Sequence, residues 1–214
     1  SIDVGAVFKS LTDDVKAVSK KTLCKAISML LVFVTVAAMM VGWAKVSMGD
    51  EVEDQIPIDV DVSTTFNVFQ FKHINGIIKD AISEALDEVD DDDDLPKEVK
   101  EIKLKTTVTA IILFVDMIVI ALALLAMAAY IFLSVTNSKN ALLVGWLSSI
   151  LCVGAVLLCI VSFLVFSSIL SMKIMGFKIE DYVALRMTMG MFITLAAAVG
   201  NFVLMFLKKD ELKA

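Results

Sequence analysis

The sequence predicts an all-α membrane protein, in which four transmembrane helices form a bundle and a small α+β extracytoplasmic domain lies between the first and second helices. Three observations lead to this fold class. The 214 residues are 58% hydrophobic with a mean hydropathy of +0.85, whereas soluble domains are about 45–50% apolar. The excess is concentrated in four blocks, each close to or above the roughly 20 residues that cross the hydrocarbon core. A polar turn at 136–140 joins two of these blocks, and so short a connection makes them antiparallel neighbours.

The four apolar blocks set the boundaries of the predicted segments. Inside lipid every backbone polar group has to be bonded internally, so each block is expected to be a helix. The predicted spans are residues 26–44, 108–135, 141–172 and 187–207. The remaining segments are an N-terminal helix of residues 1–25, a loop domain of 45–107, the turn of 136–140, a short loop of 173–186 and a tail of 208–214.

Lysines predict the side of the membrane that each segment faces. Four lysines lie within residues 16–25, Lys139 lies in the turn, and three lysines follow the last span. Lysine and arginine accumulate in cytoplasmic segments. These three places share one side of a four-span protein, so both termini are predicted to be cytoplasmic and the loop domain to be extracytoplasmic. The plasma membrane is the expected location, with an organelle or viral membrane as alternatives.

Residues 1–25 predict an amphipathic helix. Its apolar residues recur at helical spacing: Val4, Val7, Phe8, Leu11, Val15 and Val18. One interpretation is an interfacial helix on the cytoplasmic leaflet, with its lysines near anionic headgroups. The other is a helix packed against the cytoplasmic face of the protein itself or against a partner. Cys24 lies at the membrane edge, where palmitoylation and an ordinary structural thiol are the alternatives.

The loop domain predicts a β-β-α-β order. Residues Ile58–Val62 alternate between apolar and acidic, and Phe66–Phe71 continue with apolar residues on both faces, so two strands are expected. The period then changes, and Ile74–Val89 predicts an amphipathic helix. Pro96 restarts an extended chain, and Val99–Lys105 predicts a third strand that leads into the second span.

Acidic residues dominate the loop domain. It holds seven lysines against 17 acidic residues, a net charge of −10. The densest run is five consecutive aspartates: Asp90, Asp91, Asp92, Asp93 and Asp94. Carboxylates are the ligands that Ca²⁺ takes, so a calcium site is one hypothesis, but the run lacks the spacing of a calcium loop. A solvated turn is the other, and no further cofactor is expected.

One acidic residue lies inside a predicted span. Asp116 falls within 108–135, and the lone arginine, Arg186, immediately precedes the last span. A buried ionisable group in a span is costly and marks a functional hypothesis. Asp116 and Arg186 are therefore expected to form an intramembrane polar pair. The alternatives are a permeation or proton role for Asp116, and a carboxyl that is protonated or in contact with water.

The residue inventory argues against two classes of function. The chain has one histidine, His73, and three cysteines, none of which lies in the loop domain, so no histidine-based catalytic set or transition-metal centre is expected. There is no Gly-rich phosphate loop, and no basic patch suited to nucleic acid. The sequence therefore predicts neither an enzyme nor a nucleic-acid-binding protein. The expected partners are the lipid bilayer and other membrane proteins, or a second copy of the chain.

The layout of the chain resembles the claudin/PMP22-type four-span proteins. The shared features are short cytoplasmic ends, a large first outer loop with a small sheet, a short inner turn, a long third helix and a small second loop. The resemblance is one of topology, because residues 45–107 contain neither tryptophan nor cysteine, both of which mark that family's first loop. It implies lateral or trans assembly through the outer loops, or an accessory role beside another membrane complex.

Three functional hypotheses follow. The first is a non-enzymatic structural or accessory membrane protein that makes its contacts through the loop domain. The second is a cation channel or transporter subunit, in which the acidic loop domain concentrates cations and Asp116 lies on their path. The third is an envelope component of a virus or organelle.

Overall fold

The computed structural model describes residues 4–48, 63–76, 97–174, 177–178, 180 and 183–212. The helices are α1 (Val4–Met40), α2 (Lys97–Val135), α3 (Ala141–Leu170), α4 (Met189–Leu207) and the short α5 (Lys209–Leu212). The strands are β1 (Ala44–Met48), β2 (Ser63–Phe66), β3 (Lys173–Ile174), β4 (Phe177–Lys178) and β5 (Val183–Met187). A 3₁₀ turn, Val68–Gln70, leads into helical residues 71–76.

Four helices of the described chain are long and apolar enough to cross a membrane. They are Lys9–Met40, Lys97–Val135, Ala141–Leu170 and Met189–Leu207. The prediction of four helices long and apolar enough to cross a membrane is therefore confirmed, and their order along the chain is compatible with a four-span topology.

The first span does not begin as a separate helix. The sequence predicts a boundary between residues 25 and 26, but α1 runs without a break for 37 residues from Val4 to Met40, about 55 Å at 1.5 Å per residue. No proline or glycine occurs between Gly5 and Gly42, so nothing in the sequence interrupts the helix. The N-terminal segment consequently extends in line with the first span.

The predicted third strand of the loop domain is wrong, because residues 99–105 form the beginning of α2. The alternation of charged and apolar residues in this segment is also compatible with a helix that packs one face against a neighbouring helix. Buried positions of α2 recur in steps of three and four residues along the helix: Val99, Ile102, Thr106, Thr109, Leu113, Asp116, Ile120, Ala123, Met127, Tyr130 and Ser134. This 3.5-residue repeat is typical of coiled-coil-like pairing, and it begins before the apolar block.

The predicted second strand, Phe66–Phe71, is wrong beyond Phe66, because β2 covers Ser63–Phe66 and the residues after Asn67 form the 3₁₀ turn and the helical segment 71–76. β2 ends at Phe66, because the Asn67 side chain accepts hydrogen bonds from the backbone N–H groups of Phe69 and Gln70. The Gln70 side chain bonds back to the Asn67 N–H, which completes a capping box. The predicted strand Ile58–Val62 lies outside the described residues. The predicted helix Ile74–Val89 is described only at 74–76, which are helical.

α2 and α3 form an antiparallel hairpin. Asn137 adopts a left-handed conformation with φ 52°. The N–H of Ser138 then bonds the Leu133 carbonyl and the N–H of Asn137 bonds the Ser134 carbonyl, the pattern of a Schellman end. Lys105 Nζ contacts Ser168 Oγ at 2.7 Å at the far end of the same pair. The hairpin therefore keeps one register along its whole length.

A three-stranded antiparallel sheet joins the two long connections of the chain. Its order is β2-β1-β5. β1 follows α1 directly and pairs with β5, which directly precedes α4. Beneath the sheet lies a group of buried apolar side chains: Trp43, Phe66, Val68, Phe71 and Ile74. The Phe71 and Phe166 rings lie 6.4 Å apart, so this group rests on the end of α3. We call this end of the bundle the sheet end.

The opposite end, which we call the tail end, contains residues 20–25 of α1, the turn 136–140 and α5. Lys20 Nζ lies 2.9 Å from Glu211 Oε1, and Lys25 Nζ donates to Asn137 Oδ1 at 2.5 Å. The hydrogen bond from Lys20 lowers the pKa of the Glu211 carboxyl. Residues 20–25 thus pack against the protein itself, whereas Leu11, which precedes them, is 58% exposed.

Candidate functional site

The candidate site is the set of polar side chains buried between the helices. Five of the buried hydroxyl groups bond a carbonyl of their own helix, as Thr35 does with Leu31 and Thr194 with Gly190. These bonds satisfy the hydroxyls and link no second helix. Two groups differ, because they connect side chains on separate helices.

The first group joins three helices near the tail end. Ser28 Oγ of α1 donates to Asn201 Oδ1 of α4 at 2.6 Å. Tyr130 of α2 lies with its hydroxyl oxygen 2.5 Å from the same Ser28 Oγ. Because the Ser28 proton is already used, the Tyr130 hydroxyl is the donor in the second bond. All three side chains are at most 2% exposed, and hydrogen bonds of this kind stabilise helix association in an apolar environment.

A small cavity lies beside this group at the centre of the bundle. Residues from all four long helices line it, namely Val32, Thr35, Met127, Ser148, Ser149, Cys152, Ala198 and Asn201. Its volume is about 10 Å³, which is the lower limit for holding one water molecule. The site can therefore accommodate about one water beside the Asn201 amide, and nothing larger.

The second group is Asp116 with Cys159. The Cys159 thiol donates to Asp116 Oδ2 at 2.9 Å across the α2–α3 seam. Asp116 is 2% exposed, and its other carboxyl oxygen, Oδ1, has no hydrogen-bond partner among the described residues. Ser162, one helical turn from Cys159, is also buried with an unpartnered hydroxyl in the described part of the chain. An unsatisfied buried oxygen costs about 1–3 kcal/mol.

The structure does not bring Asp116 and Arg186 together. Arg186 is exposed in β5, paired in register with Lys45 of β1. Asp116 lies eleven residues along α2 from Lys105, about 16 Å below the sheet end by the helical rise. The expected intramembrane pair is therefore not formed, because its two members lie at different depths.

The other predicted site residues are placed as follows. Asp90–Asp94, the residues of the calcium-site hypothesis, lie outside the described residues. Cys24 is free and only 7% exposed, a position that disfavours palmitoylation. His73 is exposed in the helical segment 71–76. Within the part of the chain that the structure describes, no group of three His, Cys, Asp or Glu residues is arranged to hold a metal ion.

Sequence reasoning missed the Ser28–Tyr130–Asn201 group. A signal was available, because Asn201 is an amide within the apolar block 187–207 and such residues commonly hydrogen-bond across helices. The sequence does not reveal that Ser28 and Tyr130 are its neighbours. Both lie more than 70 residues away along the chain.

Removing the Tyr130 hydroxyl tests this group. Tyr130→Phe keeps the ring and removes one donor, so we expect a loss of about 1 kcal/mol in stability. Unfolding in mild detergent can be followed with a thiol-reactive maleimide dye, because all three cysteines are buried. The loss of stability caused by Ser28→Ala should be smaller in the Tyr130→Phe background than in the wild type. Equal costs in the two backgrounds would show that the hydroxyls are not coupled.

Comparison of the chain with protein-family models, with curated proteins and with solved structures finds no match.

Proposed function

We propose that the chain is an integral, multi-pass membrane protein with both termini in the cytoplasm. We further propose that it is a non-enzymatic structural or accessory subunit, which assembles with other membrane proteins through its sheet end. The observation that carries this proposal is the sheet, because it ties the connection after α1 to the connection before α4. The claudin/PMP22-type layout of the sequence is consistent with such a role.

The sheet supports the proposal by forming a fixed base for the loop domain. β1 and β5 are directly continuous with helices, and the Thr188 N–H bonds the Trp43 carbonyl at 2.9 Å between them. Trp43, Val68 and Phe71 are at most 1% exposed beneath the sheet. Met48 and Ser63, the described residues on either side of 49–62, are therefore anchored in the sheet, and a rigid scaffold of this kind commonly carries binding residues.

Charge indicates the chemistry of the partner. Residues 49–62 and 77–96 contain 15 acidic residues and one lysine. Two copies that met through these segments would repel each other. We therefore propose a partner with a basic surface in its extracytoplasmic part, and charge complementarity of this kind speeds and orients association.

The dimensions of the bundle favour this role over the alternative of a cation channel or transporter subunit. The central cavity holds about 10 Å³, and Asp116 faces the α2–α3 seam, where Cys159 bonds it. In the described part of one chain, the polar groups are thus packed against each other and leave room for about one water.

Neutralising the aspartate run tests the proposal. In the full chain, Asp90–Asp94 changed together to asparagine removes five charges. We expect the assembly extracted from native membranes in mild detergent to lose its partner, as seen by a fall in native-gel mass. Raising the salt to about 0.5 M should weaken the wild-type assembly in the same way, because surface charges are then screened.

The matched control is the same five positions changed to glutamate, which keeps the charge. This variant should retain the partner. If the asparagine variant and high salt both leave the assembly intact, the acidic segments do not mediate it. If the glutamate variant fails as well, and a chelator has the same effect, calcium binding by the aspartates is the better explanation.

A further inference from the structure

We infer that the groove between α3 and α4 binds one acyl chain of an anionic phospholipid, whose headgroup is held by lysines of the tail end. This inference rests on the proposed membrane insertion and goes beyond the proposed assembly role. It uses a different end of the molecule from the acidic loop domain. Three features carry it: the shape of the groove, its apolar lining and the charge at its mouth.

The groove lies on the outer surface of the bundle. Ser149, Ile150 and Val153 of α3 line one wall, and Val199 and Phe202 of α4 line the other. Its volume is about 250 Å³, below the 300–1,000 Å³ typical of pockets for compact ligands. Four of the five lining residues are apolar, so an extended hydrocarbon chain suits the groove through van der Waals contact.

The backbone around the groove leaves space for such a chain. A Cβ atom added at Gly154 of α3 or at Gly200 of α4 would meet no atom within 4 Å. These two glycines adjoin lining residues Val153 and Val199 in sequence. The helices therefore do not close over this part of their surface.

The tail end of the groove is positively charged. Lys139 closely precedes α3, and Lys208 and Lys209 directly follow α4. Phe202 lies six residues from Lys208 and Ile150 lies eleven from Lys139, which correspond to about 9 and 16 Å along the helices. An acyl chain bridges such distances, so its headgroup would reach the lysines.

The neighbouring charges keep the balance positive. Segments 20–25, 136–140 and 208–212 contain six lysines against Asp210 and Glu211, and Glu211 Oε1 lies 2.9 Å from Lys20 Nζ and 4.0 Å from Lys208 Nζ. Clusters of four to eight basic residues beside a membrane span are typical of anionic-lipid binding. A second copy seated in the groove would bring two positive tail ends together, so charge favours the lipid as the occupant.

Tryptophan fluorescence tests the site in the full chain. Trp146 lies on the same helical face as Ile150, one turn closer to the tail end, whereas Trp43 is fully buried at the sheet end. The chain is reconstituted into phosphatidylcholine bilayers in which either phosphatidylserine or phosphatidylcholine carries brominated acyl chains. From the quenching of Trp146 by each brominated lipid, we expect phosphatidylserine to bind at least fivefold more tightly than phosphatidylcholine.

Two kinds of variant locate the site. Lys139→Gln with Lys209→Gln should remove most of this preference, because each lysine near an anionic surface contributes about fivefold. The control pair, Lys97→Gln with Lys173→Gln at the sheet end, should leave the preference unchanged. Val199→Phe should lower quenching by filling the groove, whereas Leu125→Phe, at a 67% exposed position of α2, should not.

The outcomes separate this inference from the function on which it rests. Equal quenching by the two brominated lipids would overturn the lipid site while leaving membrane insertion intact. A preference that survives Val199→Phe would overturn the groove as its location. Quenching that rises as the protein is diluted in lipid would identify a second copy as the occupant. Absence of quenching by either lipid would overturn membrane insertion, and the inference with it.

Discussion

Replacing Gly190 with alanine is expected to destabilise the bundle by about 3 kcal/mol, the upper part of the range for overpacked cores. A Cβ at this position would lie 2.6 Å from the Gly42 carbonyl oxygen, 2.9 Å from Trp43 Cδ1 and 3.1 Å from the Ala38 carbonyl oxygen. Two of these atoms belong to the backbone and no change of rotamer can move them. α4 would have to separate from the end of α1.

The consequence should extend to the sheet. Gly42 and Trp43 lead directly into β1, and the Thr188 hydroxyl donates to the Gly42 carbonyl just before α4 begins. Separation of the two helices would therefore strain the pairing of β1 with β5. We expect the midpoint of thermal unfolding in detergent to fall by roughly 5–10 °C, measured as maleimide labelling of the buried cysteines. The emission of Trp43, which is fully buried, should shift to longer wavelength.

Gly200→Ala is the matched control for this prediction. It makes the same chemical change in the same helix, but its added Cβ meets nothing within 4 Å. Alanine is the better helix former, so stability should stay the same or rise by up to about 1 kcal/mol. An equal loss in both variants would mean that glycine is needed for a reason other than the close approach of α1 and α4.

The existence of the four long helices was predictable from the sequence, because long apolar blocks leave few alternatives. The residues at which the helices begin and end were less predictable. At the start of α2, Ile102 and Leu104 alternate with lysines as a strand would, yet residues 99, 102 and 106 continue the seam of the helix. Since no breaker separates Pro96 from that seam, packing against the bundle prevails over the local alternation. α1 runs through residue 25 for a similar reason.

The sheet was only partly predictable. β1 pairs with β5, about 140 residues away, and no local pattern specifies so distant a partner. β5 does carry a signal in hindsight, because Val183, Leu185 and Met187 alternate with Ala184 and Arg186. At five residues, the segment was too short to be distinguished from a loop.

The candidate site was also predictable only in part. A carboxyl inside an apolar block identifies Asp116 from the sequence alone. Its partner could not be identified, because Cys159 is a residue type that usually behaves as a small apolar side chain. Arg186 is the predicted partner of Asp116 because its charge is opposite. The charge of a residue does not reveal how deep along a helix the residue lies.

Replacing Asp116 with valine is expected to raise the stability of the bundle by about 1–3 kcal/mol. Asp116 lies in the seam between Leu113 and Ile120, both at most 4% exposed, and its Oδ1 has no partner in the described part of the chain. Removing a half-satisfied buried polar group relieves its desolvation cost. Cys159 would lose its acceptor, but a thiol is a weak donor, so that loss is small.

Asp116→Asn is the control, because it keeps the size of the side chain and leaves an acceptor in the same place. Its stability should stay within about 1 kcal/mol of the wild type. Both variants can be compared with the wild type by maleimide labelling of the three buried cysteines during thermal unfolding, because none of these changes alters a cysteine. Ser162→Ala, which removes a buried hydroxyl that has no partner in the described part of the chain, should act in the same direction as Asp116→Val but more weakly.

The opposite result would change the role assigned to Asp116. If Asp116→Val destabilises the bundle and Asp116→Asn does not, Oδ1 has a favourable partner, such as a water or an ion held in the seam. The seam would then be a binding site as well as a packing surface, and the cation-pathway hypothesis would gain support over a purely structural role. A rise in stability with valine, and none with asparagine, would instead show that the Asp116 carboxyl destabilises the α2–α3 seam.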